Sequence, residues 1–262
     1  MKQSKKSPRN TRERREFILA HLAKHGSITV ENVSHRFAVS TVTVRADLRL
    51  LEEKGKLVRH YGGAMLSKPE AQKFTADDRL SINSQIKKRL GKAAAELIQP
   101  GESIILDSGT TTKCIAEQLG DISPLHVMTN SLPVLNELAA NEGVTAMVTG
   151  GHLHRKSQSF CGAQAEKNLK EFHFDKLFLG VDGFHLEKGI STYNQDEARV
   201  NTIMADVAEK VIVITDSSKF RKLSLYKILN LNKIDTIITD GNIPEDYRLG
   251  ILDRGIELVI VD

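Results

Sequence analysis

The clearest pattern of apolar and polar positions lies between Ser40 and Leu51. Val44, Leu48 and Leu51 recur at the i, i+4, i+7 spacing of one helix face. Ser40 stands just before this stretch and is a suitable N-cap, because its hydroxyl can accept a backbone N–H from the first turn. The pattern predicts an amphipathic helix that begins after Ser40. The polar side of this helix carries Thr41, Thr43, Arg45 and Arg49.

A shorter helix pattern precedes it, from Ile28 to Phe37, with Thr29 as the expected cap. Residues 38–40 between the two patterns have the length of the turn in a helix-turn-helix. Such a unit lays its second helix in the DNA major groove, with residues near that helix's N-terminus at the base edges. We therefore treat Ser40 and the polar side of the second helix as candidate DNA contacts. Two amphipathic helices of an ordinary bundle, with a solvated basic face, would show the same spacing.

The residues on either side extend this unit. Thr11–Lys24 has the pattern of a first helix, and Gly26 ends it. Lys56–Ala64 is typical of a strand, a Gly-Gly turn and a return strand. A short hairpin after a recognition helix forms the wing of a winged helix, which commonly rests on the phosphate backbone. Arg59 and His60 are the candidate phosphate contacts of this wing.

The pattern changes after residue 66. Residues 67–76 are polar and contain a proline, which predicts a linker between a first domain, 11–66, and a second, 77–262. A long helix pattern over 77–99 opens the second domain. Strand and helix patterns then alternate, which favours a mostly parallel sheet with helices on both faces. The predicted strands are Ser103–Leu106, His126–Thr129, Ala146–Thr149, Lys176–Val181, Val211–Thr215, Thr236–Thr239 and Glu257–Val261. The predicted helices are Thr112–Leu119, Ser131–Ala140, Ala163–Phe172, Glu197–Glu209 and Pro244–Arg254.

Candidate chemistry in this domain begins where the first strand ends. Asp107 leads into Ser108, Gly109, Thr110, Thr111 and Thr112, which open a helix. Backbone N–H groups at a helix N-terminus, together with hydroxyl donors, suit an anion. The stretch lacks the second glycine and the Gly-Lys pair of a Walker A loop, so a small phosphate ester is expected rather than a nucleoside triphosphate. A Ser/Thr-rich capped turn without any ligand would have the same composition.

Three further strand ends carry small polar residues. Asn130 follows the second strand, Gly150 and Gly151 follow the third, and Asp182 follows the fourth. Ligands of open α/β sheets bind outside the carboxyl ends of the strands, so these loops are expected to converge on one crevice.

Charge is distributed unevenly along the 262 residues. Residues 1–66 carry 14 lysines and arginines against 6 acidic residues, whereas residues 67–262 carry 23 against 27. A basic N-terminal quarter is the electrostatic footprint of a DNA-binding module. Two cysteines, Cys114 and Cys161, do not make a disulfide framework. Without an 18-residue apolar run or a signal-peptide h-region, we expect a cytoplasmic protein with no membrane partner.

Several of these segments together resemble one protein family. The stretch VSTVTVRADLRLLEEKGKLVRHYGGA, with its R-x-D-L after the turn, looks like the start of a DeoR-type bacterial transcription regulator. The family's effector-domain pieces occur here as DSGTTT, TNS, TGG, GVDG and DSSKF. The segments TGGHLHRKSQSF and GISTYNQDEARV resemble the branch that regulates N-acetylgalactosamine operons. The resemblance extends from Thr11 over essentially the whole chain.

The resemblance implies a repressor of a sugar operon, with amino sugars favoured. It also implies an effector domain similar in fold to ribose-5-phosphate isomerase and the CoA-transferase group. A phosphorylated sugar would place its phosphate at the residue 108–112 loop, with Asn130, Asp182 and Lys219 near its other groups. The partners would be double-stranded operator DNA and a second copy of the chain, in a dimer or a tetramer, because two-fold operators call for paired readers. No cofactor is implied.

A rival hypothesis is a sugar-phosphate isomerase with an attached DNA-binding domain. Such an enzyme needs a positioned base and an electrophile, and Asp182, Lys188 and Glu197 could supply them. Isomerases of that fold carry a glycine-rich segment between the lysine and the glutamate, but residues 189–196 here contain one glycine. A metal site at His152 and His154 is disfavoured, because no cysteine or acidic cluster completes a ligand set.

Overall fold

The structure, a computed structural model, describes residues 8–25, 27–54, 56–60, 62–66, 82–120 and 122–262. The chain divides into two compact units, Met1–Lys73 and Phe74–Asp262. The predicted linker, 67–76, lies outside the described residues, so the domain limits proposed from the sequence stay a prediction.

The first unit is a three-helix module with a small antiparallel sheet. Its elements are α1 (Pro8–His25), β1 (Ser27–Thr29), α2 (Val30–Phe37), α3 (Thr41–Glu53), β2 (Leu57–His60) and β3 (Gly63–Leu66). The sheet order is β1-β3-β2, and β2 and β3 form the predicted hairpin. The three predicted helices are confirmed. The start predicted for α2 was wrong, because Ile28 pairs with Ala64 across the sheet and its backbone is therefore extended.

The turn between α2 and α3 has the capping chemistry that the sequence predicts. The Thr29 hydroxyl accepts the Asn32 N–H at 3.2 Å, and the Ser40 hydroxyl accepts the Thr43 N–H at 3.2 Å. Ala38 ends α2 with φ of 49° in the left-handed region, which turns the chain sharply toward the next helix. Both caps satisfy backbone donors that the helices cannot pair internally.

A buried ion pair joins α1 to α3. The carboxylate of Asp47 accepts Arg14 Nε at 2.5 Å and Arg15 Nε at 2.7 Å, and both Arg14 and Asp47 are 2% exposed. Val44, Leu48 and Leu51 beside Asp47 are buried as the apolar stripe predicts. The aspartate of the R-x-D-L motif therefore orients the recognition helix from inside the module.

The second unit contains the predicted α/β domain. Its helices are α4 (Ser84–Ala95), α5 (Thr110–Ala116), α6 (Leu132–Leu138), α7 (Ala163–Leu169), α8 (Gln195–Asp206) and α9 (Glu245–Leu252). Its strands are β4 (Ser103–Leu106), β5 (Leu125–Thr129), β6 (Val144–Val148), β7 (His152–His154), β8 (Ser159–Cys161), β9 (Phe174–Gly180), β10 (Gly183–His185), β11 (Gly189–Thr192), β12 (Ala208–Ile214), β13 (Tyr226–Leu229), β14 (Thr236–Asp240) and β15 (Glu257–Val261).

Seven of these strands form one parallel sheet in the order β15-β14-β12-β9-β4-β5-β6. They are the seven strands that the sequence predicts. Alternate residues enter opposite apolar layers: Leu177 packs with α8 and α9, whereas its neighbour Phe178 packs with α4 and α5. The central strands of the sheet are therefore buried on both faces, as in parallel sheets generally, whereas the edge strands β6 and β15 are partly exposed.

Two smaller sheets were not predicted. Strands β7 and β8 make an antiparallel hairpin, and β10, β11 and β13 make a three-stranded antiparallel sheet. All five of these strands have three or four residues, too few for period-two alternation to be distinguished from a loop.

The long helix predicted over 77–99 is shorter in the structure. Residues 77–81 lie outside the described part of the chain, and α4 begins only at Ser84. Asn83 before it has φ of 55°, which breaks the helical path, and its amide donates to Asp216 at 3.2 Å. Gly91 lets α4 approach α5 closely, because a Cβ there would lie 2.7 Å from Cys114. Within the described residues, no helix is both long and apolar enough to cross a membrane.

The buried ion pair yields a test of the first unit. Asp47→Asn leaves the Arg14 guanidinium buried without a carboxylate, which should cost about 3–5 kcal/mol. We expect amide protection in α1 and α3 to fall by at least about a hundredfold in hydrogen exchange of the full chain, while protection in β9 is unchanged.

Glu53→Gln is the matched control, since it removes a carboxylate paired with Arg49 at 3.2 Å on the surface of the same helix. Exposed pairs contribute about 0–1 kcal/mol, so protection should hardly change. Equal protection in the two variants would show that Asp47 does not hold α1 and α3 together.

Candidate functional site

The recognition helix α3 presents a basic face to solvent. Arg45 and Arg49 are exposed, and the stripe that packs on α1 and α2 lies on the opposite side. Arg49 Nε lies 3.2 Å from Glu53 Oε1, and both side chains are more than half exposed. Such an exposed ion pair is weak, so Arg49 can leave Glu53 to bind another partner. Both predicted arginines are therefore placed where DNA could be contacted.

The hydroxyl residues at the start of α3 are placed differently. Ser40 is exposed, yet its Oγ caps the helix and lies 3.0 Å from Thr43 Oγ1. Thr41 and Thr43 are half-buried. Ser40 and Thr43 thus have a structural part in the cap, whatever they contact in a complex.

In the wing, Arg59 is held against the recognition helix. Its backbone N–H donates to Glu52 Oε1 at 2.8 Å and its Nε donates to Glu52 Oε2 at 2.6 Å. These hydrogen bonds hold the pKa of Glu52 below its usual value. His60 is the last residue of β2, and its predicted contact with phosphate stays a prediction.

In the second unit, parallel pairing lines up the carboxyl ends of β9, β4 and β5. Asp107, just after β4, links two of these ends. Its Oδ1 accepts the Gly109 N–H at 2.8 Å and its Oδ2 accepts the Gly180 N–H at 3.1 Å, at the end of β9. The predicted convergence of these two loops is therefore seen in direct hydrogen bonds.

Burial raises the pKa of Asp107 to about 7, although hydrogen bonds from Gly109, Thr112 and Gly180 oppose the shift. The negative charge of Glu197 adds to the rise. A carboxyl with this pKa is partly protonated near neutral pH, so it repels a nearby anion less than an ordinary aspartate would.

The loop after Asp107 contains hydroxyl residues that are buried and others that are partly exposed. Thr112 is fully buried, and its Oγ1 lies 2.9 Å from the Asp107 carbonyl and 2.6 Å from the Gly109 carbonyl. Thr111 is also buried, whereas Ser108 and Thr110 are half-exposed. Among the candidate hydroxyl residues of this loop, Ser108 and Thr110 are therefore the partly exposed ones.

A buried hydrogen-bond acceptor, the Asn130 side chain, follows β5, and a turn with two glycines follows β6. Asn130 is 0% exposed, and its Oδ1 has no hydrogen-bond partner among the residues that the structure describes. Gly150 and Gly151 have φ of 70° and 99°, and a Cβ at Gly151 would clash with the Cys161 carbonyl. The two glycines thus fold the β7–β8 hairpin back over the end of β5, where Phe160 N donates to Asn130 O at 2.6 Å.

The hairpin brings together a set of polar side chains that were not among the effector-binding residues expected from the sequence. His154 Nδ1 lies 2.7 Å from Ser157 Oγ, which lies 2.8 Å from Ser159 Oγ. Ser159 Oγ donates to Glu197 at 3.1 Å, and Asn194 Nδ2 lies 3.3 Å from His154 Nε2. These residues belong to the segments HLHRKSQSF and TYNQDEARV, both within the stretches that resemble one branch of the family. Only the fold shows that the two segments meet.

Charged side chains from two loops meet beyond the carboxyl end of β9. Lys219 Nζ is 4.0 Å from Asp182 Oδ1, and Thr192 Oγ1 donates to Asp182 Oδ2 at 2.9 Å. Burial, with a smaller contribution from nearby Lys219, holds the pKa of Lys222 below its usual value. Lys222 was missed in the sequence, where it looks like any surface lysine. Two lysines beside Asp182 provide positive charge for an anionic group.

The remaining candidates have structural explanations. Burial raises the pKa of Cys161 to about 11, so this thiol is a poor nucleophile at neutral pH. His154 is engaged with the Ser157 hydroxyl, and no group of three or more His, Cys, Asp or Glu side chains within the described ranges could hold a metal ion.

Two family models match separate parts of this chain. Residues 14–70 match the model of the DeoR-like helix-turn-helix domain, and residues 82–241 match that of the DeoR C terminal sensor domain. An Escherichia coli O157:H7 protein, provisionally named an aga operon transcriptional repressor, is 49% identical over 96% of this chain and 94% of its own. The HTH-type transcriptional repressor GlcR of Bacillus subtilis is 34% identical over 95% of this chain and 96% of its own.

Among solved structures, ribose 5-phosphate isomerase A of Methanocaldococcus jannaschii covers 53% of this chain and 55% of its own. The sequence identity is 19% and the TM-score is 0.38, a likeness too limited to carry an argument about activity.

The raised pKa of Asp107 predicts a pH dependence of stability. An unfolded aspartate has a pKa of about 4, so between about pH 4 and 7 the folded chain retains a proton that the unfolded chain loses. This stabilising contribution is fully present below about pH 4 and is lost as the pH rises through 7. The difference in unfolding free energy between the unaltered chain and Asp107→Asn should therefore fall over that interval.

Urea unfolding at several pH values, followed by methyl NMR signals of Leu177 and Leu179, would measure this difference in the central sheet alone. Asp175→Asn is a control of opposite sign, because hydrogen bonds from Ser103 hold the pKa of Asp175 below its usual value. The stabilising contribution of the Asp175 carboxylate is lost as the pH falls. A difference for Asp107→Asn that does not vary with pH would contradict the assigned pKa.

Proposed function

This chain belongs to the DeoR family of transcription regulators, and from that premise we propose that it represses a sugar-catabolic operon under the control of a phosphorylated sugar. The sugar binds in the crevice at the carboxyl ends of β9, β4 and β5. Its binding changes the affinity of the winged helix for operator DNA. The observation that carries the proposal is the pairing of a DNA-reading helix with a sensor domain that concentrates phosphate-binding chemistry at one sheet edge.

The DNA-binding part of the proposal rests on the recognition helix. Arg45 and Arg49 share its exposed face, four residues apart and so one above the other. Guanidinium groups bind guanine in the major groove through two hydrogen bonds. The buried Asp47 pair with α1 fixes the helix from behind, so this face is pre-organised.

The effector part rests on the loop after Asp107 and on the lysines. Ser108 and Thr110 offer hydroxyl donors beside a carboxyl that is partly neutral at physiological pH. Lys219 and Lys222 add positive charge, and phosphate supplies acceptors for both kinds of donor. The unpaired acceptor of Asn130 suits a sugar hydroxyl. Gly150 and Gly151, which shape the hairpin turn, line the crevice through their backbone.

An amino sugar is the class of sugar that we favour. Two segments resemble regulators of N-acetylgalactosamine operons, and a relative at 49% identity carries the provisional aga operon name. Those segments supply His154, Ser159, Asn194 and Glu197, which meet next to the end of β5. In this proposal, the polar cluster recognises the part of the sugar away from its phosphate.

The isomerase hypothesis is less well supported. The segment between Lys188 and Glu197 would have to form the catalytic loop, but residues 189–192 form the buried strand β11. A Cβ at Gly189 would clash with the Leu229 carbonyl, so this glycine serves strand packing. A chromatographic assay for ketose–aldose conversion of hexose and hexosamine phosphates tests this hypothesis, and measurable turnover would support it.

We further propose that the chain acts as a dimer or a tetramer. Helix-turn-helix readers of two-fold operators present two recognition helices about one DNA turn apart. Bound sugar phosphate would favour a conformation in which the paired helices no longer match this spacing. By linkage, operator DNA must then weaken effector binding by the same factor.

The DNA-reading face can be tested with alanine variants. Arg45→Ala and Arg49→Ala each remove a guanidinium from the exposed face of α3. Loss of a base contact should cost about 1–3 kcal/mol and relax the sequence preference at one position, measured by fluorescence anisotropy on selected duplexes.

Arg12→Ala is the control for net charge, because Arg12 lies on α1 and is paired with Glu16 on the surface. Its effect on affinity should be small and equal for all sequences. If both α3 variants bound the selected duplex as tightly as the unaltered chain, the assigned face of the helix would be wrong.

The effector loop can be tested with Thr110→Ala. Removing one hydrogen bond to a charged phosphate costs about 1.5 kcal/mol or more, so sugar-phosphate affinity should fall by at least about tenfold in isothermal titration. The panel would hold hexose and hexosamine phosphates and their unphosphorylated sugars. The variant should bind operator normally but respond poorly to effector.

Thr145→Ala makes the same substitution at an exposed position of β6 and should leave the response unchanged. An equal effector response in Thr110→Ala and the unaltered chain would remove this loop from the mechanism.

A further inference from the structure

The recognition helix carries an exposed apolar side chain at its second residue. Val42 is 71% exposed, more than any other large apolar residue in the part of the chain that the structure describes. Ala46, one turn later, is also exposed. Within the residues of the first unit that the structure describes, no packing contact accounts for an apolar residue at this position, since the core uses the other side of α3.

Helical spacing places these two residues on the face that carries the arginines. Val42, Arg45, Ala46 and Arg49 stand at i, i+3, i+4 and i+7, and so share one face of the helix. Val44 and Leu48, on the opposite face, are buried in the core. The exposed face of α3 therefore carries a pair of apolar side chains beside two guanidinium groups.

Single apolar residues on a surface are ordinary and by themselves indicate nothing. The position of Val42 is the distinguishing fact, because residues near the N-terminus of a recognition helix meet the base edges. Valine is also a poorer helix former than alanine, so the residue does not serve the stability of α3. The neighbouring Ser40 and Thr43 hydroxyls lie 3.0 Å from each other as part of the helix cap.

We propose that Val42, supported by Ala46, contacts the C5-methyl group of a thymine in each operator half-site. This inference rests on the proposed DNA-binding function and adds a specificity-determining contact to it. Thymine alone among the four bases presents a methyl group in the major groove, and apolar side chains recognise it by contact. Cytosine would present its amino group to the same apolar surface, and the side chains of Val42 and Ala46 carry no hydrogen-bond acceptor.

The contact can be isolated by replacing thymine with deoxyuridine, which removes the methyl group and leaves the Watson–Crick edge intact. The DNA probe is the duplex that the unaltered full-length chain selects from a random pool. Each thymine of that duplex is replaced in turn, and the Kd is measured for the unaltered chain and for Val42→Ala. Burial of one methyl group is worth about 0.8 kcal/mol, or roughly fourfold in Kd.

We expect one thymine in each half-site at which deoxyuridine weakens binding of the unaltered chain by about fourfold. At this position Val42→Ala should bind the thymine and deoxyuridine duplexes equally, while the arginine-dependent positions keep their preference. Val148→Ala is the matched control, since it makes the same substitution at an exposed valine of β6 in the other unit. It should respond to deoxyuridine as the unaltered chain does.

The outcomes separate this inference from the function on which it rests. Failure of the unaltered chain to select any duplex would overturn the proposed DNA-binding function and the inference with it. A selected duplex without a methyl-sensitive thymine, or one at which Val42→Ala keeps the full sensitivity, would overturn the inference alone. Because alanine favours the helix more than valine, a loss of sensitivity cannot be ascribed to unfolding of α3.

Discussion

The parallel pairing of the seven central strands brings their carboxyl ends to the same edge of the sheet, and the geometry of the proposed effector crevice depends on this pairing. Parallel strands require a crossover between each pair, and at this edge the chain passes from β4 into the helix α5 and from β5 into the helix α6. Residues far apart in sequence thereby become neighbours. Asp107 and Gly180 are 73 residues apart yet share a hydrogen bond of 3.1 Å.

Burial at that edge changes the chemistry of the side chains that it collects. Asp107 receives two backbone N–H donors, which favour its charged form, but removal from water outweighs them and raises its pKa to about 7. The same removal from water holds the pKa of Lys222 below its usual value. A carboxyl that is partly neutral and a lysine that gains from a negative neighbour together suit an anionic ligand.

In the first unit, one helix serves two purposes through its two faces. The inner face of α3 holds Asp47 in a buried ion pair with Arg14, and breaking such a pair by removing one partner is strongly destabilising. The outer face carries Arg45, Arg49 and Val42. Because the inner face fixes the helix, the outer side chains can be presented to DNA without first ordering the backbone, which lowers the entropic cost of binding.

The sequence by itself determined the elements whose pattern is local: the capped helices of the winged module, its hairpin, and all seven strands of the central sheet. Periodicity of apolar residues and the chemistry of Thr29 and Ser40 depend on near neighbours only. The tertiary structure decided what depends on distant partners. It placed Ile28 in a strand, because Ala64 lies opposite. It also brought the His154 hairpin to Glu197, and buried Asp107 deeply enough to shift its pKa. Spacing along the chain carries no record of such contacts, since they arise only when separate elements pack.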